Sequence, residues 1–121
     1  MSDSAIWTRN GVTDTRLVRN FSYINGKWTA GDDNATIAVT NPADGALLGD
    51  VASLSGAQAT SAVDAAQAAF ADWSMTLPQD RSALLRRWFD LMIQNKDDLA
   101  RIMVLEQGKP LSEALGEIDY A

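Results

Sequence analysis

The 121-residue chain contains neither cysteine nor histidine. Without cysteine there is no disulfide framework, no thiolate nucleophile and no thiolate metal site; without histidine there is no imidazole ligand and no base that titrates near neutrality. Hydrolytic triads and zinc hydrolases of the common kinds are excluded. Positive charge is also scarce, with 10 Lys and Arg against 16 Asp and Glu and a formal charge of -6. Four basic residues face six acidic ones over 1–60, and six face ten over 61–121, which leaves no basic face to neutralise phosphates. Nucleic acid and anionic membrane are not expected partners. No window approaches the roughly 20 apolar residues of a membrane span. Residues 1–20 hold three Arg and two Asp but no apolar run, against a secretory signal or transit peptide. A cytoplasmic protein is expected.

What is present is a globular composition, 46% apolar and 21% charged, with four Trp. From Phe21 to Leu54 the chain reads as short strands punctuated by turns. Asn25-Gly26, set between Ile24 and Lys27 and flanked by Tyr23 and Trp28, tolerates positive φ at both central positions of a tight hairpin turn. A second hairpin follows, in which Ile37 and Val39 alternate with Thr36, Ala38 and Thr40. Asn41-Pro42-Ala43-Asp44-Gly45 then turns the chain, because Pro sets φ for the first central position and Gly frees the last. Leu47 to Ala52 returns.

After Ser55 the apolar period lengthens from two to between three and four. Ser55 caps a helix whose stripe is Val63, Ala66, Phe70 and Trp73. Its eight alanines between Ala57 and Ala71 permit close approach, so the helix is expected to be packed, not solvated. Pro78 opens a second helix with an apolar face of Leu84, Leu85, Trp88, Leu91 and Met92. A break is expected over Asn95–Asp98, with Asp97 and Asp98 at the positive end of a third helix. Leu99, Ile102, Met103 and Leu105 line that helix as far as Gly108-Lys109-Pro110, where Gly supplies a left-handed end and Pro prevents continuation. Leu111, Ala114, Leu115 and Ile118 form a fourth stripe, cut and not capped at Ala121. The aromatic residues fall mostly on these stripes and are expected in the core.

Reactive constellations are sparse. Glu113 and Glu117 share a helical face, but a di-metal carboxylate site adds Glu-x-x-His and no His exists; a solvated face is the simpler reading. Asp32-Asp33 lacks the alternating ligands of a calcium loop and reads as a polar turn. Gly108-Lys109 lacks the upstream Gly and the following hydroxyl of a phosphate loop, and no Gly-x-Gly-x-x-Gly occurs. The residues by themselves offer no self-contained active site, only a soluble acidic α/β segment whose apolar faces call for a larger partner.

In order and spacing, Tyr23-Ile-Asn-Gly-Lys-Trp28, Val39-Thr-Asn-Pro-Ala-Asp-Gly45, Val63-Asp-Ala-Ala-Gln-Ala-Ala-Phe70 with Trp73, Arg81 with Leu84-Leu85, and Leu105-Glu-Gln-Gly-Lys-Pro-Leu111 resemble the N-terminal part of the NAD(P)-dependent aldehyde dehydrogenase superfamily. Arg87 to Ala114 is most similar to the succinate-semialdehyde dehydrogenase branch, with glutarate-semialdehyde dehydrogenases a close second. The resemblance implies an α/β fold with a Rossmann-like coenzyme domain. Residues 21–121 would be its incomplete N-terminal part, two hairpins and about four amphipathic helices, and residues 1–20 an N-terminal extension.

The resemblance also implies the chemistry of the intact enzyme. In the family a Cys attacks the aldehyde, hydride passes to NAD or NADP, a Glu activates water to release the acid, and an Asn holds the oxyanion. All of these lie downstream of the matched region, so no catalytic or cofactor-binding residue is carried over and the chain alone is expected to be inactive. Some members hold a structural monovalent cation at positions that match Thr40, through a backbone carbonyl, and Glu106, through its side chain. At a helix end Glu106 needs a positive neighbour, which a cation or Lys109 would provide; an ordinary solvated helix end is the alternative. The family implies an aldehyde substrate and a homo-oligomer. The rival expectation is a free-standing, non-catalytic module that binds a protein partner through its apolar faces.

Overall fold

The structure, a computed structural model, describes residues 4–121. The first three residues of the expected extension lie outside those described. A short helix, α1 (Ser4–Arg9), and a 3-10 turn (Thr15–Leu17) precede two hairpins. In the first, β1 (Ser22–Ile24) pairs antiparallel with β2 (Lys27–Thr29), and Asn25 and Gly26 take φ of 48° and 75° as the tight turn requires. In the second, β3 (Thr36–Thr40) pairs with β4 (Leu47–Ala52). The intervening turn is closed by Gly45 N–H donating to the Asn41 carbonyl at 2.7 Å and Asn41 N–H donating to Ala46 at 2.8 Å. The register passes from Val39 opposite Gly49 to Thr40 opposite Leu47, so Leu48 is the extra residue of a bulge. Leu48 is buried.

Four helices follow: α2 (Gly56–Met75), α3 (Pro78–Gln94), α4 (Lys96–Gln107) and α5 (Leu111–Tyr120). The Ser55 hydroxyl accepts the Gln58 N–H at 3.2 Å while the Gln58 side chain accepts the Ser55 N–H at 3.0 Å, a reciprocal cap. Pro78 occupies the first turn of α3. The break between α3 and α4 is narrower than expected: Asn95 alone leaves helical geometry, and Lys96 to Asp98 are already helical. At the other end of α4, Gly108 turns left-handed with φ of 77°, and a Cβ placed on it would lie 2.7 Å from Pro42 Cγ. Glycine is therefore needed there twice over, for its backbone and for its lack of a side chain.

Two apolar clusters form. Trp7, Val12, Leu48 and Leu105 make the first, joined by Val39 and Ile102; Ala100, Ala114 and Ile118 make the second, joined by Leu99, Met103 and Leu115. Helix α4 contributes to both. The segment before Asn20 is thus drawn into the core by Trp7 and Val12, a role no pattern in residues 1–20 signalled.

The expected packing of α2 is corrected by the structure. None of its residues is buried, and Val63 and Phe70 are 67% and 59% exposed. Among the described residues none buries the alanine-rich stripe; the side-chain hydrogen bonds that join α2 to other elements lie near its ends, where Gln58 donates to the Ala30 carbonyl and Arg81 of α3 donates to the Ser74 carbonyl. The face of α3 is likewise open, with Leu84, Leu85, Trp88 and Leu91 exposed. Only Trp7 among the tryptophans is in the core; Trp28, Trp73 and Trp88 are not, nor are Phe21, Phe70 and Phe89. Periodicity identified apolar stripes correctly but could not say what covers them.

Candidate functional site

Thr40 lies at the end of β3 and Glu106 near the end of α4, and these two elements come together along a seam. The preceding Val39 packs into the cluster that holds Leu105, and Pro42, two residues after Thr40, lies against Gly108, two residues after Glu106. Two pairs of contacts thus straddle the two positions, which sequence separates by 66 residues (106 minus 40). The bulge at Leu48 falls beside Thr40 and re-aims the backbone at that point.

Glu106 is exposed overall, yet partial burial of its carboxyl pushes its pKa above the ordinary range. The proposed internal counter-charge is not available: Lys109 pairs with Glu117 instead. Arg19 lines a small hollow together with Glu106, but its guanidinium lies 5.0 Å over the ring of Trp28 and makes no ion pair with the carboxylate. Glu106 accordingly stands near the negative end of α4 without an ionic partner among the described residues, an arrangement that suits a cation. Glutamates 113 and 117 are both exposed, as expected, and no cluster of three or more Asp or Glu could hold a metal among the described residues.

A stronger carboxylate site escaped the sequence. Asp98 is only 7% exposed and accepts the N–H and hydroxyl of Thr13 and the N–H of Asp14, each at 2.8 Å. Burial pushes its pKa up, but the three donors outweigh burial and the net shift is downward. Nearby, hydrogen bonds from the Arg16 side chain and backbone lower Asp14 to about 2. Asp98 is a fully satisfied structural anchor, since its oxygens are spent on the backbone entering the 3-10 turn.

The described residues do not form a dinucleotide cradle. Both sheets are antiparallel hairpins, whereas such a cradle needs a strand leading through a glycine-rich turn into a free helix N-terminus. At the passage from β4 to α2 the turn is Ser53-Leu54-Ser55, without glycine, and the reciprocal cap uses the Ser55 and Gln58 amides. No helix of the described residues is long and apolar enough to cross a membrane.

Comparison with known proteins gives a consistent picture. The profile described as "Aldehyde dehydrogenase family" matches residues 28–121. The glutarate-semialdehyde dehydrogenase of Pseudomonas putida is 52% identical over 110 residues, covering 91% of this chain and 23% of the relative. The NADP(+) succinate-semialdehyde dehydrogenase of Escherichia coli is 46% identical, with coverage of 91% and 23%. Among solved structures, that of succinate-semialdehyde dehydrogenase from Burkholderia pseudomallei superposes with a TM-score of 0.87 at 51% identity, covering 91% of this chain and 23% of that one. The chain spans just under a quarter of the length of these relatives.

Proposed function

Because the chain belongs to the aldehyde dehydrogenase family, we propose that it is the N-terminal part of an enzyme that oxidises a semialdehyde to the carboxylic acid with NAD or NADP as hydride acceptor. Succinate semialdehyde is the first substrate proposed and glutarate semialdehyde the alternative. The observation that carries this reading is the agreement of 46–52% identical relatives on semialdehyde substrates, over nearly the whole chain. Residues 21–121 then form the first part of the coenzyme-binding domain, with residues 1–20 as the segment that precedes it.

The chain itself supplies no nucleophile and no cofactor contact. Its contribution is architectural: hairpins and helices whose exposed apolar faces on α2 and α3 form one side of a larger body. Thr40 and Glu106 hold a structural monovalent cation at the β3–α4 seam, a reading supported by the desolvated carboxylate that lacks an ionic partner. The enzyme works in the cytoplasm as a homo-oligomer, with neither nucleic acid nor membrane as a partner, in keeping with its acidic surface.

Steady-state NADH and NADPH formation by the full-length protein, with succinate semialdehyde, glutarate semialdehyde and a neutral short-chain aldehyde in parallel, tests the proposal. The expected result is a kcat/KM for one of the two semialdehydes at least tenfold above the neutral aldehyde. Equal rates with all three, or none, would overturn it. The 121-residue chain alone is expected to show no turnover; a free-standing interaction module would show none in either form.

A further inference from the structure

The chain has six asparagines, and two of them, Asn10 and Asn25, are followed by glycine. An asparagine side chain is most readily attacked by the next backbone nitrogen when that residue is glycine, because no Cβ stands against the approaching carboxamide. Asn20, Asn34 and Asn95 precede residues with a side chain, and Asn41 precedes Pro42, which has no N–H to lose. By sequence Asn10 and Asn25 are equivalent.

The fold separates them. Asn10 follows α1, where its Nδ2 donates to the Ile6 carbonyl at 2.8 Å and the Gly11 N–H donates to the Thr8 carbonyl at 3.0 Å. Both reacting groups are thus engaged, and the Arg101 side chain lies against Gly11. Asn25 and Gly26 are exposed at the tip of the β1–β2 turn, where neither the Asn25 side chain nor the Gly26 N–H has a hydrogen-bond partner among the described residues. A Cβ built on Gly26 would meet nothing within 4 Å. The hairpin has three residue pairs and no buried residue in either strand, so the turn opens locally at little cost.

We propose that Asn25-Gly26 is a site of spontaneous deamidation, selected by the fold over Asn10-Gly11. The Gly26 backbone nitrogen gives up its proton to solvent and bonds to Asn25 Cγ. The Cγ–Nδ2 bond breaks and ammonia leaves with a proton taken from water, which closes a five-membered imide. Water then opens the ring at either carbonyl to give aspartate or isoaspartate. One water is consumed and one ammonia released, with no change of oxidation state. Isoaspartate lengthens the main chain by one carbon, so the two-residue turn with φ of 48° and 75° that sets Ile24 opposite Lys27 no longer fits.

The test holds the full-length protein in mildly alkaline buffer, digests it with trypsin and sequences the peptides containing Asn10 and Asn25 by mass spectrometry. In the folded protein Asn25 should convert about tenfold or more faster than Asn10, the order set by the two hydrogen bonds that must break at Asn10-Gly11. Enzymatic methylation of isoaspartate should mark the Asn25 peptide, and in urea the two rates should converge. Comparable rates in the folded protein, an unreacted Asn25 there, or a preference of the same size in urea would each overturn the proposal. Gly26→Ala, assayed in urea so that its folding is immaterial, should slow conversion at Asn25 and leave Asn10 unchanged; conversion of Asn25 at the parent rate would exclude attack by the backbone nitrogen.

Discussion

Thr13 donates both its backbone N–H and its hydroxyl to the carboxylate of Asp98, each at 2.8 Å, across 85 residues of sequence. With the Asp14 N–H added, one acidic side chain at the first turn of α4 fixes the path of the chain into the 3-10 turn. Asp98→Ala would leave two backbone donors without their acceptor and is expected to cost about 3 kcal/mol, in line with loss of hydrogen bonds to a charged group. The sign with pH follows from the net lowering of its pKa below 3.8. The stabilisation is fully present above about 3.8 and fades as pH falls through the lower folded value. Urea unfolding of the two proteins at neutral and at strongly acidic pH should therefore show a gap that narrows with acid.

Gly108→Ala should be among the more damaging single-methyl additions in the chain. It forces an L residue to φ of 77° and brings a carbon to 2.7 Å from Pro42 Cγ, together costing about 1–3 kcal/mol. Because part of that cost is contact with Pro42, Pro42→Ala in the same chain should restore some of the lost Tm. No restoration would mean that the backbone strain accounts for all of it.

Ser55→Ala removes one half of the reciprocal cap on α2 and should cost about 1 kcal/mol. The loss should be confined to the first turn of α2, since this helix has no buried residue through which to transmit it. Faster amide exchange at Ala57 to Ala59, with α4 unaffected, would be the signature.

A bound cation at Thr40 and Glu106 should raise the Tm of the full-length protein when potassium or sodium replaces a tetraalkylammonium salt at equal ionic strength, by the linkage of ligand to the folded state. Glu106→Gln should abolish most of the difference. A Tm indifferent to the cation in the parent protein would remove the basis for the site.

The features legible in the sequence were those decided within a few residues. Asn25-Gly26 and Pro42-to-Gly45 carry their own backbone requirements, and so do Ser55 at a helix start and Gly108 at a helix end. The fates of Asp98, Trp7 and the α2 stripe depend on partners far along the chain. Asp98 looked like an ordinary dipole-favoured carboxylate, because Thr13 and Asp14 bear no local mark of facing it. Trp7 sits in a segment without periodicity. The alanines of the α2 stripe allow close approach, but permission to pack does not provide something to pack against. Thr40 and Glu106 came from family resemblance; what the fold adds is the seam that draws their neighbours together.

Helix α4 is flanked on one side by Trp7, Val12 and Leu48 and on the other by Ala114 and Ile118, whereas α2 buries nothing. Opening α4 dissolves both clusters at once, but fraying α2 disturbs neither. Resistance to hydrogen exchange should therefore be graded along the chain, with α4 amides released only in the most extensive opening and α2 amides released by local breathing. The chain thus has a mechanical centre in its fourth helix, to which the segment before Asn20 and the last helix are both fastened.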